Sequence, residues 1–193
     1  MNAGKVINVG KKLFLLVSVL TSSSLLLGSG LVCSIDKVVH KDIAKDLQKI
    51  RSQTHSTCLD CSGDSCTMKP WSSEKAGDAG VCKLLFCRPS YVPRGIKFPA
   101  GLEAGNTLIN FDYSISSKGK IKGVEITSVK GVMNGRQAYK YVTSFAKRTS
   151  FEPLIIEGKN YHLLSLSGRI IAIVGNPDDI NKYQANDTGI WRN

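Results

Sequence analysis

The sequence contains little of several residue types on which catalytic and metal sites commonly depend. Its 193 residues include three histidines, three methionines and two tryptophans. The histidines lie far apart in the sequence, at positions 40, 55 and 162, and no serine, cysteine or carboxylate has a recognisable nucleophile motif around it. No glycine-rich loop of the phosphate-binding type is present. These absences predict a protein that is not an enzyme, and they imply no metal and no cofactor.

Two further absences mark the beginning of the chain: no acidic residue precedes Cys33, and no proline precedes Pro70. Residues 1–12 carry three lysines, and residues 13–33 are apolar apart from scattered serines and a threonine. This pattern predicts a signal peptide or an N-terminal membrane anchor over residues 1–33. Cleavage after Gly30 or after Ser34 fits a signal peptide, and lipidation of Cys33 is a further alternative, against which the large Val32 argues. Each route exports the rest of the chain, so we expect a periplasmic protein, either secreted or anchored in the inner membrane.

The formal net charge is +11, and the basic residues are spread along the chain. A solvated basic surface explains such a spread, and export argues against nucleic acid as the partner. Attraction to an acidic partner or to an anionic membrane surface is a secondary interpretation.

Apolar residues at helical spacing follow the N-terminal segment. Val39, Ile43, Leu47 and Ile50 fall on one face of a helix, and a row of lysines lies beside them. The spacing predicts an amphipathic helix over residues 34–53, which we expect to pack on the domain that follows.

Residues 54–95 form a cysteine-rich segment with little periodicity, and they predict an irregular structure. The segment has too few apolar residues to make a core unaided, so cross-links are its expected source of order. The exported location favours disulfides, with a fifth cysteine left over unless Cys33 is retained. A zinc site built on His55 and the first cysteines and a redox-active Cys58–Cys61 pair are the alternatives. The cysteines expected in disulfides are Cys58, Cys61, Cys66, Cys82 and Cys87.

Residues 96–175 predict a small α+β domain. Residues 107–115 and 121–129 each alternate between apolar and polar residues, and a turn around Gly119 separates them, as in a β-hairpin. A helix is expected after the N-cap residue Asn134, with Lys147 and Arg148 in its last turn. Strands over residues 160–167 and 170–174, separated by a turn at Gly168, complete the order β-β-α-β-β: an antiparallel sheet with one helix on a face. The apolar face of the helix consists of Ala138, Tyr141, Val142, Phe145 and Ala146.

The order of short motifs in this region resembles the C-terminal domain of the TonB family of energy transducers. The motifs are Phe98-Pro99, the Phe111-Asp-Tyr strand, Lys118-Gly-Lys120, Ser150-Phe-Glu-Pro153 and Gly158-Lys159. The resemblance covers residues 97–174, less than half of the chain.

The resemblance implies a protein-binding module that pairs an edge strand with a segment of an envelope partner, such as a TonB-dependent transporter, and passes on proton-motive energy. An exposed sheet edge can accept an extended peptide through main-chain hydrogen bonds. Carried onto this chain, the partner-binding residues are Asn160, Tyr161, His162, Leu163, Leu164, Ser165, Leu166 and Ser167.

Two departures from the family weaken the energy-coupling role. Residues 13–33 contain no histidine to engage a membrane motor, and the chain has six prolines where the family has a long proline-rich spacer. The alternative function is therefore a structural component of an envelope assembly, in which the same edge pairs with a second copy or another subunit, or a metal-binding envelope protein. Residues 176–193 are polar and are expected to form a mobile tail.

Overall fold

The computed structural model describes Cys33 and residues 38–175, apart from the side chains of Ser73 and Ala76. The described residues form a mixed α+β structure with three α-helices and a mostly antiparallel sheet. The expectations for residues 1–32, for 34–37 and for the tail after 175 lie outside the described residues.

The helices and strands follow one another in an order that begins with a helix and ends with the longest strand. They are α1 (Lys41–Cys58), β1 (Leu59–Ser62), β2 (Ser65–Met68), a 3-10 turn (Ser73–Lys75), α2 (Ala76–Phe86), β3 (Pro89–Tyr91), β4 (Gly105–Ile115), β5 (Ile121–Gly131), α3 (Gly135–Arg148), β6 (Ser150–Phe151), β7 (Leu154–Ile156) and β8 (Lys159–Val174).

The predicted hairpin is confirmed. β4 and β5 pair antiparallel from Thr107 opposite Gly131 to Ile115 opposite Ile121. Alternate residues of β4 are buried because successive side chains of a strand point to opposite faces of the sheet. The buried set comprises Thr107, Ile109, Phe111, Tyr113 and Ile115.

The predicted helix and its cap are also confirmed. Asn134 accepts a hydrogen bond from the backbone N–H of Gln137, and the Gln137 side chain accepts one from the backbone N–H of Asn134, so the two residues form a capping box. The buried face of α3 is the predicted one and packs over the sheet. Lys147 and Arg148 lie in the last turn.

The prediction of two separate strands over residues 160–167 and 170–174 is wrong, because residues 159–174 form one continuous strand, β8. Gly168 does not turn the chain. A Cβ atom at Gly168 would lie 2.6 Å from Cζ of Phe111, so glycine is required there by the close approach of an aromatic ring. The hairpin into β8 comes earlier, at Glu157 and Gly158, which both have positive φ, as a two-residue connection of this type requires.

The main sheet has the strand order β1-β2-β8-β4-β5, and β7 pairs with the beginning of β8. β4 lies antiparallel to β8 from Gly105 opposite Val174 to Ile115 opposite Leu163. β2 lies on the other side of β8 and is parallel to it. A separate two-stranded pairing joins β3 to β6.

The cysteine-rich segment is not irregular, contrary to the sequence expectation. It contains the end of α1, the β1–β2 hairpin and α2, and the hairpin extends the main sheet through β2. The segment gains this order from disulfides and from contact with β8, two tertiary features that local periodicity does not carry.

The apolar face predicted for the first helix is confirmed only in part, and α1 continues to Cys58 beyond the predicted end at residue 53. Val39, just before the helix, is buried as expected. Ile43 and Ile50 are exposed, whereas Leu47 packs against the core and Arg51 is buried, with its Nε donating to the carbonyl oxygen of Leu85. Burial lowers the pKa of Arg51, and the nearby Glu152 partly opposes this effect. The hydrogen bond from a guanidinium nitrogen joins α1 to α2, and it explains why a charged side chain takes a core position.

Candidate binding edge of the sheet

The predicted partner-binding segment lies at the start of β8, and residues 160–164 of it are already paired with β7 or β2. Asn160 and Tyr161 pair with β7, and His162, Leu163 and Leu164 pair with β2. These five residues therefore have strand neighbours and do not present an open edge. Sequence reasoning missed this pairing because β2 is separated from β8 by about ninety residues of chain.

His162 has a structural environment within the segment. Its Nδ1 accepts a hydrogen bond of 3.3 Å from the backbone N–H of Ser117, in the turn between β4 and β5. The backbone N–H of His162 donates to the carbonyl oxygen of Asp64, in the β1–β2 turn. Both contacts hold the start of β8 against the two hairpins beside it.

A bulge follows the paired part of the segment. Leu163 lies opposite Ile115, and Leu166 lies opposite Tyr113, so β8 contains one more residue than β4 between these two pairs. Ser165 within this interval has a φ of 56°. Bulges of this kind change which backbone groups face a neighbouring strand, so the second half of β8 has its own outward-facing set.

That outward-facing set can be identified from one hydrogen bond. The carbonyl oxygen of Ser167 accepts the backbone N–H of Cys33 at 3.0 Å, so the backbone of Ser167 faces away from β4. Backbone groups of a strand alternate in direction from one residue to the next. The N–H and C=O groups of Arg169, Ile171 and Ile173 therefore face outward too.

No described strand pairs with β8 on this side after Ser167. We call the stretch Ser167 to Ile173 the open edge. Edges of this kind are the places where a sheet can accept another chain, because each outward N–H and C=O needs a partner.

The side chains beside the open edge lie on the face of the sheet opposite α3. Arg169 Nε donates to Oδ1 of Asn110 at 3.1 Å, and Asn110 Nδ2 donates to Oγ of Ser128 at 2.7 Å. This polar row crosses β8, β4 and β5. Next to it, Ile171 lies opposite Leu108, and both side chains are half-buried. The open edge thus adjoins a short apolar strip.

The expectation of disulfides is confirmed, and the pairing involves six cysteines. Cys58 is joined to Cys82, Cys61 to Cys66, and Cys33 to Cys87. The Cys33–Cys87 disulfide brings Cys33 to the start of the open edge, where its N–H meets Ser167. The pairing requires that Cys33 remain in the chain, which cleavage after Ser34 would prevent.

The same disulfides decide among the alternatives for the cysteine-rich segment. Each sulfur atom is bonded to another, so none of the six is a thiolate that could bind zinc or attack a substrate. Lipidation of Cys33 would need the sulfur atom that is bonded to Cys87.

Two tyrosines are buried in the core, Tyr113 on β4 and Tyr141 on α3. Tyr113 is fully buried, and burial raises the pKa of its phenol well above the ordinary value of 10.0. Burial likewise raises the pKa of Tyr141. The Tyr113 hydroxyl has no hydrogen-bond partner among the described residues. Both groups are therefore structural and neutral at physiological pH.

Among the residues that the structure describes, no helix has both the length and the apolar character that a bilayer span requires. Residues 13–32, which make up all but the last residue of the segment behind the anchor prediction, lie outside the described residues. No family model, curated protein or solved structure matches the chain.

Proposed function

We propose that the protein is an exported, non-catalytic protein-binding module that receives an extended segment of an envelope partner along the open edge of β8. The observation that carries the proposal is the outward set of backbone groups at Arg169, Ile171 and Ile173, which has no partner among the described residues. Strand addition satisfies such groups directly, and the neighbouring side chains then give specificity. The partner class is a TonB-dependent transporter or an assembly subunit.

Three features support this function. The strands β5, β4 and β8 with α3 on one face provide the helix-backed antiparallel sheet that the resemblance to the TonB C-terminal domain implies. The half-buried Ile171 and Leu108 offer an apolar surface beside the edge. Disulfides are typical of oxidising compartments, so they favour export to the periplasm.

The docking site proposed here lies further along β8 than the predicted segment 160–167. Residues 159–164 of β8 are paired with β7 and β2, so residues 160–164 would have to leave those neighbours before they could bind a partner. At the open edge, the described part of the chain contains no paired strand that a partner would have to displace. Transmission of proton-motive energy is not part of the proposal, because residues 13–33 lack a histidine for a membrane motor.

A second candidate is a structural role in an envelope assembly, in which the open edge pairs with the same edge of a second copy. It is favoured by the β1–β2 hairpin, which pairs with part of β8. Cys61–Cys66 links the two strands of the hairpin, and Cys58, the residue before β1, is bonded to Cys82 of α2. These disulfides make the module rigid, and a rigid module is what a permanent assembly requires. The two functions differ in the identity of the partner strand, and one experiment separates them.

The experiment is photo-crosslinking in the expressing cell from positions 169, 171 and 173, with Thr127 of β5 as an exposed control position away from the open edge. A partner strand has the same period of two as β8, so crosslinks from the three positions should map to alternate residues of one partner segment. A transporter segment supports the first function, and a segment containing residues 169–173 of a second copy supports the second.

A matched pair of variants tests the backbone contact itself. Ile171→Pro removes the outward N–H together with the side chain, whereas Ile171→Ala removes the side chain and keeps the N–H. Crosslinking from position 169 should fall strongly in the proline variant and persist in the alanine variant. Equal yields in the two variants, or crosslinks that scatter over several partner surfaces, would contradict strand addition.

A further inference from the structure

A pocket of about 590 Å³ lies on a different part of the molecule, between the start of α3 and the segment that precedes β4. This volume is within the range of about 300 to 1,000 Å³ that small-molecule sites occupy. We call it the basic pocket. Its lining comprises Lys97, Phe98, Pro99, Ala100, Asn134, Arg136, Gln137, Lys140, Tyr141 and Ser144.

The charges in the basic pocket are all of one sign. Lys97 approaches from the loop, Arg136 and Lys140 approach from α3, and no carboxylate is among the lining residues. Within the described part of the chain, none of the three cations forms an ion pair. Three like charges around one concavity repel one another, and an anion between them would relieve that repulsion.

The walls of the pocket are held in place. The rings of Phe98 and Tyr141 stack with their centroids 5.2 Å apart and their planes 3° from parallel, and Tyr141 is buried on the inner face of α3. Arg136 and Lys140 are one helical turn apart on the same row of α3, which places both side chains at the same side of the pocket. Lys97, Arg136 and Lys140 are thus exposed cations that line one pocket beside a stacked pair of aromatic rings.

The number of cations favours a phosphate monoester over a carboxylate. A phosphate monoester carries a charge of about −1.5 to −2 near pH 7 and three acceptor oxygens, whereas a carboxylate carries one negative charge. The planar guanidinium of Arg136 can bind two of those oxygens at once, and the lysines can act as point charges beside it. The volume exceeds what one phosphate group needs, so the phosphate would be attached to a larger body.

We propose that the basic pocket binds a phosphate monoester group, with Lys97, Arg136 and Lys140 as its ligands and the Phe98–Tyr141 stack as the wall beside the attached body. The same chemistry occurs in the headgroup of an anionic lipid and in soluble phosphorylated molecules. The site is independent of the open edge of β8, so it can be tested without knowledge of the protein partner.

The test begins with an amide NMR titration of the exported protein, in the form that the expressing cell produces, with glycerol 3-phosphate and with inorganic phosphate. Saturable shifts are expected at the amides of Lys97, Phe98 and Ala100 and at residues 135–137. Vesicles of phosphatidylcholine containing phosphatidic acid are then compared with phosphatidylcholine alone in co-sedimentation. Dependence on phosphatidic acid with weak binding of the soluble ester identifies a lipid headgroup, and the reverse identifies a soluble ligand.

Two double variants with the same loss of charge separate the pocket from general attraction to a basic protein. Arg136→Gln/Lys140→Gln removes two pocket cations, and affinity should fall by at least about tenfold, as expected for the loss of charge-assisted hydrogen bonds. Lys130→Gln/Lys147→Gln removes two exposed cations that do not line the pocket, and affinity should change by less than about twofold. Lys97→Gln, on a separate segment, gives an independent variant if the first double variant does not fold.

Three results would overturn the proposal. The first is the lack of saturable shifts with either phosphate compound, together with equal co-sedimentation with both kinds of vesicle. The second is an equal loss of affinity in the two double variants, which would mean nonspecific attraction. The third is a set of shifts that maps away from the basic pocket.

Discussion

Gly168 of β8 and Phe111 of β4 lie opposite each other, and the Phe111 ring occupies the space that a side chain at position 168 would need. The two residues are register partners, and a Cβ atom at Gly168 would lie 2.6 Å from Cζ and 2.8 Å from Cε2 of Phe111. Phe111 is fully buried, so its ring has no open space into which it could turn. The pair joins the two central strands of the sheet at the place where the sequence pattern predicted a turn.

We expect Gly168→Ala to destabilise the protein by about 1 to 3 kcal/mol, because overpacking of a close-packed core forces side chains and backbone to shift. The midpoint of denaturant unfolding measures the effect. Gly80→Ala is the control: Gly80 is exposed on α2, a Cβ atom there meets nothing within 4 Å, and alanine should be neutral or slightly stabilising in a helix. An unchanged midpoint in Gly168→Ala would show that the Phe111 ring is not where the structure places it.

A double-mutant cycle gives a second reading of the same contact. Phe111→Leu should cost less stability in the Gly168→Ala background than in the wild-type background, because the smaller side chain relieves the clash. Purely additive costs would contradict a direct contact between the two positions.

The capping box of α3 leads to a prediction about one side chain. Asn134→Ala removes the acceptor for the Gln137 N–H and should cost about 0.5 to 2 kcal/mol. Asn134→Ser keeps an acceptor at the N-cap and should cost clearly less. Chemical denaturation of both variants, with amide hydrogen exchange at residues 135–138, checks the assignment. Equal costs would indicate that the amide of Asn134 stabilises the helix in another way.

The three disulfides should differ in their contributions because they close loops of different length. The sequence separations are 54 residues for Cys33–Cys87, 24 for Cys58–Cys82 and 5 for Cys61–Cys66. The chain-entropy relation then gives about 4, 3.5 and 2 kcal/mol respectively. We expect paired Cys→Ala variants to lose stability in that order in denaturant unfolding.

The connectivity itself is tested by a non-reducing peptide map of the exported protein. Three linked peptide pairs that match these assignments are expected, with no free thiol among the six cysteines. Recovery of Cys33 with a lipid on its sulfur, or a mature chain that begins after Cys33, would refute the Cys33–Cys87 pair and would remove the contact at the start of the open edge.

The buried tyrosines predict a loss of stability at high pH. Folding raises the pKa of Tyr113 and Tyr141 above 10.0, so above that pH the unfolded chain binds fewer protons than the folded protein. Stability is therefore complete below about pH 10 and falls as the pH rises further, by up to about 1.4 kcal/mol per pH unit for each tyrosine. Unfolding free energies measured on both sides of pH 10 check this slope.

Tyr113→Phe should reduce that alkaline slope and should not destabilise the protein at neutral pH. The Tyr113 hydroxyl is buried and has no partner among the described residues, so its removal eliminates an unsatisfied polar group. Tyr139→Phe, at an exposed position on α3, is the matched control and should leave the slope unchanged. A large loss of stability in Tyr113→Phe at neutral pH would reveal a hydrogen bond at that hydroxyl.

The sequence by itself determined the parts of the protein whose structure depends on local pattern. Alternation along residues 107–115 predicted β4, the apolar row from Ala138 to Ala146 predicted the buried face of α3, and Asn134 was recognised as its N-cap. Helical and strand periodicities are properties of neighbouring residues, so a single sequence carries them. The expectation of disulfides followed from composition and export in the same way.

Only the tertiary structure decided which part of β8 lacks a strand neighbour among the described residues. Gly168 is a turn residue by local pattern, but Phe111, almost sixty positions earlier in the chain, requires glycine there for packing, so β8 continues to Val174. β2 and β7 then pair with residues 159–164 of β8, and residues 169–173 have no strand neighbour on the side away from β4 among the described residues. The tertiary structure also decided how the cysteines pair and that Lys97 and Arg136 line one pocket. The physical reason is the same: contacts between distant residues depend on how the elements pack. The sequence pattern of each element records only which of its own faces is apolar.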